Sequence, residues 1–165
     1  MKRLSLILTI ILFLLPLQVK AQSVSYTYKA LKAEGCSVNY SVAHQDNNFY
    51  LVVSVTSDRM RFLSEPSIKF KTFKGEIIEL TGIELGNSSQ TAGVLIGNIM
   101  VPVTDIVTSA QFRISQSDLE KFQNGISKVR ISLAPMNHER EFSKDKIGKK
   151  LYKIYLKLAN QKDDF

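Results

Sequence analysis

The chain has 165 residues, 22 lysines and arginines against 15 acids, 44% hydrophobic residues, one cysteine and no tryptophan. One cysteine cannot close an intramolecular disulfide, so a stapled miniature scaffold is excluded and the fold must rest on an apolar core. The formal charge of +7 falls to +4 (19 bases against 15 acids) once the first 21 residues, with three bases and no acid, are set aside; that excess is too small to point to nucleic acid.

Lys2 and Arg3 precede an apolar run over residues 4–15, followed by Pro16 and Val19-Lys20-Ala21. A basic head, a short apolar middle and small residues at the cut predict a secretory signal peptide over residues 1–21, cleaved before Gln22. The run is shorter than the roughly 20 apolar residues that cross a bilayer, and no later segment approaches that length. The expected product is exported, periplasmic or secreted, not transmembrane, and forms a single domain over residues 22–165.

Val24, Tyr26 and Tyr28 alternate with Ser and Thr, which predicts a first strand over residues 23–29. Two alternating runs then flank Gln45-Asp46-Asn47-Asn48 within residues 36–57. A turn on Asp46-Asn47 suits the positive φ of a tight hairpin. It sets Val42 opposite Leu51, Tyr40 opposite Val53 and Val38 opposite Val55 on one dry face. Residues 67–82 predict a second hairpin. A three-residue loop, Phe73-Lys74-Gly75, pairs Phe70 with Ile78, Ile68 with Leu80 and Lys69 with Glu79, whereas a two-residue loop would set Phe70 against Glu79. After Leu85 the chain reads as a polar loop to Gly93, then a strand over 94–101 stopped by Pro102. A further strand is expected over 106–115.

At Ser115 the period changes. Capping serines, early acids and a closing Asn124-Gly125 predict a short helix with Leu119 and Phe122 inward. Val129, Ile131 and Leu133 mark a last strand before Pro135. Ser143 as N-cap, Asp145 in the first turn and a Phe142–Ile147 staple open a C-terminal helix. Its apolar stripe is Ile147, Leu151, Ile154 and Leu158, and Lys146, Lys149, Lys150, Lys153 and Lys157 lie on another side. Gly148 costs such a helix about 1 kcal/mol against Ala, which a close approach to the sheet would explain. Together these elements predict a mainly β (α+β) domain. It is either an antiparallel β-sandwich or a strongly curved sheet of about seven or eight strands, with one short helix and the long C-terminal helix packed on it.

Catalytic chemistry is sparse. Cys36 and His44 on one strand stand roughly 26 Å apart, too far to act as nucleophile and base. Cys36 with His138 stays open, against the simpler reading of Cys36 as a small packed residue. His138-Glu139-Arg140-Glu141 lacks the second His of a metalloprotease helix, and two His with one Cys cannot complete a closed zinc site of nitrogen and sulfur ligands. Glu76, Glu79 and Glu84 would need spatial pairing to serve glycoside hydrolysis. No glycine-rich phosphate loop occurs, and no cofactor is implied.

The expected function is therefore a non-catalytic binding or scaffolding domain of the cell envelope. A carrier enclosing a small apolar ligand between sheet and last helix is the alternative, and a hydrolase using Cys36 or paired carboxylates comes third. The lysine face of the last helix is the candidate binding surface. Its simplest reading is a solvated outer face; any partner would be an anionic envelope component or another envelope protein.

Overall fold

The computed structural model of the chain describes residues 22–29 and 35–160; the expected signal peptide, residues 1–21, lies outside them. In order the elements are β1 (Gln22–Lys29), β2 (Gly35–Gln45), β3 (Asn48–Ser57), β4 (Arg61–Phe62), β5 (Ser67–Thr72), β6 (Ile77–Ile96) and β7 (Ile99–Ile114). They continue with α1 (Gln116–Lys121), a 3-10 turn (Phe122–Asn124), β8 (Ile126–Ile131), β9 (Leu133–Ala134), β10 (His138–Glu141) and α2 (Gly148–Asn160). Eight strands form one antiparallel sheet in the order β1-β2-β3-β7-β6-β5-β8-β10, and β4 pairs with β9 beside it.

The central hairpin takes the register that its alternation demands. Val42 faces Leu51, Tyr40 faces Val53 and Val38 faces Val55, and all six are fully buried. Asp46 and Asn47 both have positive φ, 49° and 60°, as a tight two-residue turn between right-twisted strands requires. The β5–β6 hairpin likewise pairs Phe70 with Ile78 and Lys69 with Glu79. Its loop turns on Gly75 at φ 86°, and the Lys69–Glu79 ion pair closes at 2.7 Å.

One sheet rather than two facing sheets accommodates all this apolar surface because the sheet curls. Cys36 on β2 and His138 on β10 touch at 3.2 Å, although five strands separate β2 from β10 in the sheet order. Strand twist accumulated over eight strands brings the two ends round, without β1 and β10 pairing into a barrel. The concave side holds α1, the 3-10 turn and α2. Tyr40, Phe70, Phe112, Phe122, Leu119 and Leu151 are among its largest fully buried side chains. Phe70 meets the ring of Phe122 edge-on at 5.2 Å, and Phe49 meets Tyr155 of α2 at 5.1 Å.

Both helices dock by the stripes read from the sequence. Ser115 caps α1 by accepting the Asp118 amide at 3.1 Å. Gly148, Leu151, Ile154, Tyr155 and Leu158 of α2 are buried, each large apolar side chain contributing about 1.5–3 kcal/mol. The cap of α2 differs from expectation: it is Asp145, not Ser143. Its carboxylate accepts the amides of Gly148 at 2.9 Å and Lys149 at 2.8 Å, and also that of Ile126 at 2.9 Å. A side chain that satisfies two orphan donors of the helix and one of β8 prevails over an exposed serine five residues before the first helical turn. The approach inferred from Gly148 is present. A Cβ there would lie 2.7 Å from the Ile126 nitrogen and 2.9 Å from the Gly125 Cα.

The largest departure from the sequence reading lies between Leu85 and Val101. In place of a polar loop and a separate strand, β6 runs unbroken to Ile96, turns over Gly97-Asn98 and returns as β7. Gly97 at φ 62° opens this two-residue turn. The Ser, Thr, Gln and Asn residues that suggested a loop are ladder partners: Ser88 faces Val107, Gln90 faces Asp105, and the hydroxyls of Thr91 and Thr104 bond at 2.8 Å. Pro102 sits inside β7, opposite Gly93. It is tolerated because β7 has no second described neighbour beyond Ile106, where its pairing with β3 ends. On its other side β6 pairs with β5 only as far as Thr81. Residues 90–105 therefore form a two-stranded arm that extends past the rest of the sheet.

Candidate functional site

Of the residue pairs considered for catalysis, the fold brings one together. Curling of the sheet carries His138 Nδ1 to 3.2 Å from Cys36 Sγ, across 102 residues of chain. Both residues are 2% exposed. Burial raises the thiol above its ordinary value of 9.0. Burial, and then the Arg140 guanidinium, lower His138 from 6.5 to about 4. At neutral pH the pair is a thiol beside a neutral imidazole, not the thiolate–imidazolium of an activated nucleophile. Its geometry serves a sealed hydrogen bond that ties β2 to β10.

The remaining candidates are dispersed. His44 stacks on Phe49 with ring centres 4.4 Å apart, filling the end of the central hairpin. Glu76 accepts from Asn124 at 2.8 Å, Glu79 pairs with Lys69, and Glu84 accepts from Asn87 at 2.8 Å. Each carboxylate is thus engaged by a different neighbour. No group of three His, Cys, Asp or Glu side chains suited to a metal ion converges among the described residues.

Between sheet and α2 the buried side chains form one continuous apolar cluster. A cavity of about 570 Å³ lies elsewhere, near the β2–β3 turn and the start of α1, and its lining includes Asn47, Asn48, Glu79, Arg113 and Asp118. Phe49, Leu80 and Ile114 complete a mixed lining, more polar than the mostly apolar walls of small-ligand pockets. No helix among the described residues is long and apolar enough to cross a membrane.

Two surface features remain. On α2, Lys149, Lys150, Lys153 and Lys157 are exposed, with Lys146 exposed just before the helix. They lie opposite the buried stripe, the helix contains no acidic residue, and none of the described ion pairs involves them. The other feature is the β6–β7 arm, which the sequence reading missed. Ile96, Ile99, Leu95 and Met100 at its tip are 63–70% exposed. The available signal was Gly97-Asn98, a two-residue hairpin turn flanked by Val94-Leu95-Ile96 and Ile99-Met100-Val101. Compared with known proteins, the chain matches no family model, no curated protein and no solved structure.

Proposed function

We propose that the protein is an exported, non-catalytic binding or scaffolding domain of the cell envelope, and that it contacts an anionic envelope component through α2. The carrying observation is the face formed by Lys149, Lys150, Lys153 and Lys157, exposed and of one sign, on a helix whose apolar stripe is already buried. A docked helix whose outward charges are all cationic, with Leu156 half-exposed among them, attracts acidic polymers or lipid headgroups. The continuous apolar cluster between sheet and α2 favours this over a carrier, and the neutral, sealed Cys36–His138 pair favours it over a thiol hydrolase.

The test is co-sedimentation of residues 22–165 with vesicles containing phosphatidylglycerol, and retention on an acidic polysaccharide. Binding to at least one should weaken as salt rises. Replacing the four helix lysines by Gln should abolish it while leaving the thermal midpoint nearly unchanged, since exposed charges contribute little to stability. No binding to either probe, or binding indifferent to the Gln variant, would overturn the lysine-face reading.

A further inference from the structure

The β6–β7 arm changes polarity along its length, not across its width. From the turn inward its pairs are Ile96 with Ile99, Leu95 with Met100, Val94 with Val101, Gly93 with Pro102 and Ala92 with Val103. Successive pairs point to opposite sides, so Val94, Ile96, Ile99 and Val101 share one face while Leu95 and Met100 lie on the other. Neither face is favoured by cover: Ile96 and Ile99 are 63% and 70% exposed, Leu95 and Met100 both 67%. The next pairs are polar, Thr91 with Thr104 and Gln90 with Asp105, and the threonine hydroxyls bond at 2.8 Å. No charged residue occurs from Leu85 to Thr104.

A strand pair that packs on another protein surface is ordinarily apolar on one face, as β2–β3 is, because the partner covers one face. An end that is apolar on both faces and closed by a polar collar fits a medium that surrounds it. A bilayer surface is such a medium. Backbone polarity sets the depth. The two-residue turn makes Ile96–Ile99 a hydrogen-bonded pair, and alternation makes Val94–Val101 the next. Within the paired tip, Leu95 and Met100 alone then direct N–H and C=O groups outward. The following outward pair contains Pro102, which has no N–H to leave unpaired. The few outward groups, the turn backbone and the Asn98 side chain require water or headgroup oxygens. That requirement places the end at the boundary of headgroups and acyl chains, outside the hydrocarbon core. From Ala92 to Ile96 the apolar pairs reach roughly 13 Å at about 3.3 Å per residue, too short to span a core of about 30 Å. Charge resumes at the base in both signs: Asp105 in β7, and Asp58, Arg59 and Arg61 just beyond Ser57, which faces Ile106. A base of mixed sign complements zwitterionic headgroups.

We infer that the arm inserts its end, the pairs from Val94–Val101 to Ile96–Ile99, into the interfacial layer of a phospholipid bilayer. The lysine helix packs at the other end of the sheet, where Tyr155 meets Phe49 and Gly148 approaches Ile126. The two readings can fail separately, since retention on an acidic polysaccharide involves no acyl chains.

Flotation of residues 22–165 with vesicles of phosphatidylcholine alone tests it, in about 1 M salt, where a Debye length of about 3 Å screens the helix lysines. The parent should float with the vesicles. Leu95→Asp and Ile99→Asp, one on each face, should both partition at least tenfold more weakly, with circular dichroism unchanged. An environment-sensitive fluorophore on Ile99→Cys should shift to the blue with these vesicles, and one on Ser89→Cys, behind the collar, should not. A parent that does not float, or flotation that both Asp variants retain, would overturn the inference. Loss in only one of the two variants would also overturn it, because a one-sided contact is not insertion. Sedimentation velocity without lipid should find a monomer; an oligomer that the same variants dissociate would assign the arm to self-association and overturn the inference.

Discussion

The β2–β3 hairpin and the β6–β7 arm are built alike and end differently. Each turns over two residues with positive φ at the first, Asp46 in one and Gly97 in the other, and each holds a face of paired apolar residues. In the first, Val38, Tyr40, Val42, Leu51, Val53 and Val55 are all 0% exposed; in the second, Ile96 and Ile99 are 63% and 70% exposed. The difference lies in the neighbours, not in the strands. β3 pairs along its length with β7, and the helices pack against the concave side, whereas the arm runs past its last neighbour. Ladder hydrogen bonds suffice to continue a hairpin, but an apolar face is stabilising only where something covers it.

Charge placement separates the two regions most strongly. Val53→Asp should be severely destabilising, about 4 kcal/mol or more, because the carboxylate enters a sealed core without a partner. The same change at Val94 should alter monomer stability by less than about 1 kcal/mol, as for an exposed site. Urea unfolding of both variants at low protein concentration measures this. Equal losses would mean that the arm folds back onto the core.

In the covered region acid should act through His138. His138 is held neutral in the fold, from 6.5 down to about 4, so between these values the unfolded chain binds a proton that the native state does not. Stability from this group is complete above pH 6.5 and is lost as the pH falls to about 4. At 1.36 kcal/mol per unit the total is on the order of 3 kcal/mol. Thermal midpoints from pH 7.5 to 4 should follow this slope, and His138→Gln should flatten it. A flat parent profile would show that His138 is protonated within the fold.

Gly148→Ala offers a smaller and sharper contrast. In an exposed helix the change gains about 1 kcal/mol. Here the added methyl meets backbone atoms of Gly125 and Ile126, which cannot rotate away, so a loss of roughly 1–3 kcal/mol is expected. Differential scanning calorimetry that found a stabilised variant would show that α2 can lift from β8.

Local chemistry was enough to write much of this fold from the residues. Asp46-Asn47 and Gly75 imposed their turns because few other residues accept positive φ, and two-residue alternation then left one workable register for each hairpin. The α2 stripe and the burial of Leu119 and Phe122 followed from helical spacing in the same way. Properties that depend on distant partners were settled by the tertiary structure. Asp145 outranks Ser143 as a cap because β8 brings it a third amide. Cys36 and His138 meet because twist accumulates over eight strands, and the protonation of that pair follows from burial. Residues 86–91 look like a loop because polar side chains and Gly86 carry no strand period, yet they are strand because β7 supplies a partner for each backbone. Whether an apolar face is core or contact surface cannot be written in its own residues, since Val53 and Val94 are the same side chain on the same kind of strand. Burial is a property of what lies opposite, and only the folded chain places it there.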